Sequence, residues 1–226
     1  MSIPKVINFV WIGTSLPKWA EDNMRQFERL NPEFKVVLHD AEVLLPEFRN
    51  AYDSIRGDHV YARKSDLLRV SVLLGSGGWY FDSDIIPIRP LSELYANYNG
   101  FPKQCFITHG SYLRGQRWIA NGVIGTSAGS PFLLKVYDGI LARAAAGVNK
   151  WAIYGPELYT EIVKHHPELT HVGLLDDFYR IQDRKRSMAA FASIRKDGYS
   201  SEAIIREVGE PLPFAIHASM QDEVNL

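Results

Sequence analysis

Apolar positions follow two rhythms along this chain, and the rhythms take turns. The run Lys5 to Val10 (KVINFV) is β-rich and ends at Trp11-Ile12-Gly13, which reads as a strand followed by a loop. Pro17 suits a first helical turn, and Ala20, Met24, Phe27 and Leu30 recur at helical spacing until Asn31-Pro32 stops the pattern. Phe34 to Leu38 predicts a second strand, and residues 41–55 a partly helical stretch broken at Pro46. A firmer helix is expected from about Asp58 to Leu74, closed by the glycines of GSGG. Trp79 to Phe81 then predicts a third strand, and Ile85 to Ile88 resumes extended structure before Pro90.

The second half is read in the same way. Cys105 to Thr108 and Gly122 to Ile124 are short apolar strands, with Asn121-Gly122 as a turn signal. Ser130-Pro131 opens a helix as cap and first turn, running to about Ala146. Gly155-Pro156 starts another, to about His165; Val172 to Leu175 and Phe214 to Ile216 look like late strands. No repeat, low-complexity tract or linker interrupts the pattern. Strands alternating with helices predict an α/β sheet with one continuous core, a single domain over residues 1–226.

Composition changes this picture little. With 226 residues, 46% hydrophobic and 23% charged, the chain has the balance of a soluble globular domain. A formal net charge of −1 gives no reason to expect nucleic acid or an anionic membrane surface. No stretch approaches the roughly 20 apolar residues of a transmembrane segment, and the start does not read as a signal peptide. Cys105 is the only cysteine, so no intrachain disulfide forms, and its apolar setting marks it as a small core residue. The expectation is a cytoplasmic protein.

The chemistry concentrates in three places. Residues 77–85 read GGWYFDSDI, and in an extended segment Asp82 and Asp84 point to one side while Ser83 points away. Two carboxylates together at a strand end are costly unless they form a solvated turn or hold a hard divalent cation. The aromatic run before them and Ile85-Ile86 after them disfavour a plain exposed turn. In ARKSDLLR, residues 62–69, Asp66 and Arg69 share a helical face, within a stripe from Ala62 to Leu73 that faces protein. Such a pair is either an ordinary ion pair or a clamp for sugar hydroxyls. Arg63 and Lys64 lie on other faces and are expected to be solvated. Trp11 is either core or a flat surface for a nucleobase, and His217 (PFAIHAS) either an ordinary histidine or a ligand.

Taken together, these pieces match one pattern. IPKVINFVWIG resembles the IPK-I-H-x-x-W-x-G opening of family 32 glycosyltransferases, ARKSDLLR their A-x-x-S-D-x-x-R helix, and GGWYFDSDI their G-G-x-Y-x-D-x-D strand. The order and the gap between the last two motifs also fit. The resemblance is most specific over roughly the first 90 residues and continues loosely through Asn121-Gly122, Gly155-Pro156 and His217. It implies a GT-A fold, a Rossmann-like sandwich around a mixed central sheet, shared with the cores of large bacterial glucosylating toxins. It also implies that Val10, Trp11 and Gly13 form the nucleotide-binding strand end, with Trp11 stacking on uracil. Asp66 and Arg69, with Asn121, look like donor-sugar contacts. Asp82 and Asp84 look like the metal site, with His217 as a third ligand and Asp82 also touching ribose or sugar. Asn8 stands where relatives often carry His, and the tail HASMQDEVNL lacks their Trp-containing ending.

The function so implied is transfer of a sugar from a UDP-sugar to a hydroxyl of a glycan, a lipid-linked glycan or a protein, in polysaccharide or glycoconjugate synthesis. Oxygen ligands suit Mn²⁺ or Mg²⁺, and an imidazole tilts the choice toward Mn²⁺. The resemblance also implies retention of anomeric configuration, by a route that needs no dedicated protein base; Asp176-Asp177 would supply one in an inverting enzyme. A phosphotransferase with Asp82 as nucleophile would need Thr or Val at position 86, which is Ile. A non-catalytic nucleotide-sugar or carbohydrate-binding module would not need the metal pair.

Overall fold

The computed structural model describes residues 3–13, 15–98, 100, 103–113, 116–148, 150–181 and 183–218. Its centre is a six-stranded sheet built from β1 (Val6–Val10), β2 (Lys35–His39), β3 (Gly78–Phe81), β5 (Cys105–Leu113), β6 (Gln116–Thr126) and β7 (His171–Gly173). The strands lie in the order β2-β1-β3-β6-β5-β7. β1 pairs in parallel with both β2 and β3, whereas β6 runs antiparallel to both β3 and β5, so the sheet is mixed. A separate two-stranded ribbon joins β4 (Ile85–Pro87) to β8 (Ala215–His217).

The period-2 alternation divides the core. Ile7, Phe9, Trp79, Phe81, Phe106 and Val123 pack on one face with Phe27 of α1 (Lys18–Leu30). Val10, Tyr80, Ile107 and Ile124 face the other way, beneath α3 (Val60–Ser76), α5 (Pro131–Ala145) and α6 (Pro156–His165). α2 (Arg49–Ser54) follows two short 3-10 turns in the stretch expected to be partly helical. Ser130 caps α5 by accepting from the Leu133 amide, and Gly77 ends α3 at a φ of 64°. A third cluster joins Ile86 and Ile216 to Phe191, Ile194, Ile204 and Val208. The last four belong to α8 (Arg184–Lys196) and α9 (Ser201–Val208).

Several expectations are corrected. The late strand ends at Gly173, and Leu175 instead opens the short helix α7 (Leu175–Phe178). β5 and β6 are much longer than their apolar runs, because register shifts after Ile107 and His109 break the alternation that reveals a strand. Asn121-Gly122 is therefore mid-strand in β6, not a turn. Arg63 is buried, donating to the carbonyls of Arg56 and Asp58, and Lys64 sits 4.2 Å over the Tyr52 ring. Helices α4 (Leu91–Asn97), α8 and α9 were not legible. The inward stripe of α8, Ser187, Ala190, Phe191 and Ile194, is masked by its basic and small residues. Among the described residues no helix is long and apolar enough to cross a membrane.

Candidate active site

The parallel strands β1 and β3 end side by side, and their carboxyl ends open into a cleft of about 420 Å³. This is where ligands settle on open α/β sheets. Val10, Trp11 and Ile12 line it from β1; Tyr80, Asp82, Ser83 and Asp84 from β3 and the turn that follows; Arg69 and residues 57–62 from α3 and the loop before it; and His217 from β8. Gly13, Asp66 and Asn121 are not among the lining residues.

Asp82-Ser83-Asp84 is a tight turn, not the extended segment expected, and the Ile85 amide donates to the Asp82 carbonyl at 3.0 Å. Three main-chain groups of this turn are tied to other parts of the chain. The Asp82 amide donates to Gly122 at 2.9 Å, the Ser83 carbonyl accepts from Asn23 Nδ2 at 2.9 Å, and the Asp84 carbonyl accepts from the Ala218 amide at 2.9 Å. Asn23 is fully buried and is oriented by Tyr199 of the C-terminal helical unit, whose hydroxyl donates to its Oδ1 at 2.9 Å. The turn brings the two carboxylates together even though Ser83 also borders the cleft. His217 arrives by strand pairing, because it lies opposite Ile85 in the β4–β8 ribbon. Its Nε2 is 3.3 Å from Asp84 Oδ1, and the Ser187 hydroxyl donates to its carbonyl.

One ligand atom each from Asp82, Asp84 and His217 lies within 4.8 Å of the others. Two carboxylate oxygens and an imidazole nitrogen converging at a cleft wall fit a hard or borderline divalent cation such as Mg²⁺ or Mn²⁺. Burial disfavours protonation of His217, but the neighbouring Asp84 more than offsets it, and its pKa is raised.

Behind this group sits a second one. Arg69 reaches Asp66 Oδ1 and Asp82 Oδ1, each at 3.3 Å, donates to the Asn121 carbonyl, and packs 4.7 Å over the Tyr80 ring. Asn121 Nδ2 donates to Asp66 at 2.7 Å, and the Tyr80 hydroxyl to Asp82 at 2.8 Å. Burial raises the Asp66 pKa to about 6 against the opposing pull of Arg69 and Asn121. Burial also works against the Arg69 charge, yet Asp82, Tyr80 and Asp66 more than offset it and raise its pKa. Two glycines make room for these groups. A Cβ on Gly155, the cap of α6, would stand 2.8 Å from both Asp66 Oδ2 and Asn121 Nδ2. One on Gly122 would stand 2.6 Å from Asp82 Oδ2 and 2.7 Å from the Tyr179 hydroxyl.

Trp11 projects from the end of β1, edge-on to Trp19 with ring centroids 6.2 Å apart. Its Nε1 is buried without a hydrogen-bond partner, which in a cleft marks a donor awaiting an acceptor. Asp176 and Asp177 lie on α7 and do not line the cleft. Cys105 is buried, its thiol pushed up to about 12, and has no part in the site. The tail from residue 219 lies outside the described residues. Asn23, Tyr179 and Tyr199 carried no local signal of a role here, whereas Tyr80 stands at the Tyr of the G-G-x-Y-x-D-x-D pattern.

With this geometry established, the likenesses to known proteins are informative. Residues 17–101 match the family model described as glycosyltransferase sugar-binding region containing DXD motif. The chain is 25% identical over 191 residues to the uncharacterized glycosyltransferase L373 of Acanthamoeba polyphaga mimivirus, covering 78% of this chain and 72% of that one. It is 26% identical over 119 residues to the alpha-1,4-N-acetylglucosaminyltransferase of Homo sapiens, covering 53% of this chain and 28% of that one. To inositol phosphoceramide mannosyltransferase 3 of Schizosaccharomyces pombe it is 28% identical over 143 residues, covering 60% of this chain and 36% of the relative. The match thus spans about a third of the length of these last two relatives. The solved PaToxG glycosyltransferase superposes with a TM-score of 0.60 at 18% identity, covering 93% of this chain and 80% of that one. Mouse xyloside xylosyltransferase 1 gives 0.54 at 13%, covering 94% and 96%. The mixed α/β fold is that of the GT-A glycosyltransferases.

Proposed function

We propose that this chain is a DXD-containing glycosyltransferase, as its likeness to that family over residues 17–101 supports, and that it moves a sugar from a UDP-sugar to an acceptor hydroxyl with a divalent cation held by Asp82, Asp84 and His217. The observation that carries this reading is the convergence of those three side chains within 4.8 Å beside the unpartnered Trp11 Nε1. A bound cation would neutralise the negative charge that builds on the departing diphosphate, with no proton donated by the protein. The imidazole among the ligands favours Mn²⁺ over Mg²⁺.

The protein's own groups set up the rest. Trp11 offers its ring to the uracil and its buried N–H to an acceptor on the nucleotide, with Trp19 fixing the indole's angle. Arg69 and Tyr80 bind Asp82 Oδ1 and keep that carboxylate aimed. Arg69 also adds positive charge at the cleft wall, while Asp66 and Asn121 hold it in place from behind. The acceptor hydroxyl attacks the anomeric carbon as the bond to the diphosphate breaks, and its proton passes to the departing phosphate oxygen on the same face. This route retains configuration and uses no protein base, in keeping with Asp176 and Asp177 lying off the cleft. The setting is polysaccharide or glycoconjugate synthesis in a reducing compartment such as the cytoplasm.

The test is UDP release from a panel of UDP-sugars with Mn²⁺, comparing wild type with Asp84→Asn. Release from at least one donor, and a thousandfold or larger loss in the variant, is expected on the order of magnitude of lost charge stabilisation. Failure of every donor, or normal turnover by Asp84→Asn, would show the reading to be wrong.

A further inference from the structure

The mouth of the cleft has a different chemistry from its floor. His59, Val60 and Tyr61 line it where the chain enters α3. Tyr61 is 41% exposed and Trp151 43% exposed, and they are the two aromatics among the large apolar side chains left open to solvent in the described residues. The His59 and Trp151 rings face each other at 6.0 Å between centroids and 53° between planes. His59 joins the loop before α3 to the loop before α6, which are distant in sequence.

The backbone that presents these rings is in rarely used conformations. His59 has a φ of 57° and Ala152, next to Trp151, a φ of 68°; neither is glycine. Residues held there are over-determined by their surroundings, and such positions cluster at ligand clamps. The second loop is firmly fixed to the protein. Arg143 donates to the Ile153 carbonyl, and Gly155 packs directly on Asp66 and Asn121. The rings are therefore held at a set place relative to the Asp66–Asn121 group behind the cleft wall.

Resting on the sugar-transfer reading above, we propose that Trp151, His59 and Tyr61 form the acceptor subsite and that the acceptor is a carbohydrate whose pyranose ring stacks on the Trp151 indole. An aromatic face is negative at its centre, and the C–H face of a pyranose carries the complementary partial positive charge. A sugar is also flat, uncharged and amphipathic, which suits open rings flanked by an imidazole and the Asp58 side of the loop. A lipid acceptor would call for a contiguous aliphatic patch. The other large exposed apolar side chains, Leu38, Leu134, Leu174 and Ile205, are instead dispersed over β2, α5, the turn before α7, and α9. Because the shelf adjoins the cleft, a hydroxyl of the stacked sugar would be presented toward the donor.

The test uses full-length wild type, Trp151→Ala and Trp151→Phe with Mn²⁺ and a UDP-sugar. UDP release is measured without acceptor and with p-nitrophenyl glycosides of glucose, galactose, mannose, xylose and N-acetylglucosamine. Trp151 does not line the donor cleft, so acceptor-free UDP release and thermal stability should match wild type in both variants. At least one glycoside should stimulate wild type, Trp151→Ala should raise its KM about tenfold, and Trp151→Phe should recover most of that loss. The proposal is overturned if no glycoside stimulates release, if Trp151→Ala leaves the acceptor KM unchanged, or if acceptor-free release falls in step with transfer. Absence of UDP release from wild type with every donor would instead overturn the sugar-transfer reading itself.

Discussion

Two groups of carboxylates lie back to back at the end of β3, and they are built on opposite principles. Asp66 belongs to a closed set: its Oδ1 meets Arg69 and Asn121, Gly155 packs against it, and it lies behind the cleft wall. Asp82 and Asp84 belong to an open set, facing the cleft with one imidazole and a share of Arg69 between them. The closed set carries its own counter-charge and is complete as it stands. The open set places like charges together at the cleft, where on the proposed reading a cation completes it. Arg69 links the two, so it transmits the rigidity of the first to the aim of the second.

The largest expected effect comes from removing that link. Arg69→Ala strands two carboxylates, one of them fully buried, and should cost about 3–5 kcal/mol, read as a drop in thermal midpoint. A drop no larger than that of a typical surface substitution would mean that the two groups are not coupled through Arg69.

Next comes the charge on Asp66 itself. Its pKa stands at about 6 in the folded protein against an ordinary 3.8. The protonated form is favoured by folding, so its contribution is fully present below pH about 3.8 and is lost as pH rises through about 6. By pH 7 the loss amounts to about 3 kcal/mol, at 1.36 kcal/mol per pKa unit. Asp66→Asn should therefore gain stability relative to wild type between pH 5 and pH 7 in parallel melts. A gap that narrows over that range would reverse the assignment.

The smallest effects contrast neighbours of the open set. Asn23→Ala deprives the Ser83 carbonyl of its buried donor and should cost about 1–3 kcal/mol, together with weaker Mn²⁺ binding. Ser83→Ala removes only a hydroxyl and should stay within about 0.5 kcal/mol. Equal losses at both positions would mean that the side chain of Ser83, and not its carbonyl, holds the turn.

Much of this was legible from the sequence where periodicity and motif agree. β1, α1, α3 and β3 follow their apolar rhythms, and Asp82, Asp84, Asp66 and Arg69 sit in recognisable motifs. His217 is harder: β8 has three residues, and only its pairing with Ile85 brings the imidazole to Asp84. Asn23 leaves no local trace because a polar residue on an amphipathic helix reads as solvated, and Tyr199 leaves none because it lies in the turn between α8 and α9. Their partners are 60 and 176 residues away in the chain. The extended reading of Asp82–Asp84 failed for a related reason. Carbonyl partners on α1 and after β8, which no alternation pattern reveals, fold that segment into a turn.

The central claim is that the open set is completed by a cation. Titration of the protein with Mn²⁺ in the presence of UDP, followed by electron paramagnetic resonance of the free ion, measures this without any turnover. Wild type should take up one equivalent, and Asp84→Asn, melting as wild type does, should bind on the order of a hundredfold more weakly. Equal Mn²⁺ binding by the two proteins would contradict the account.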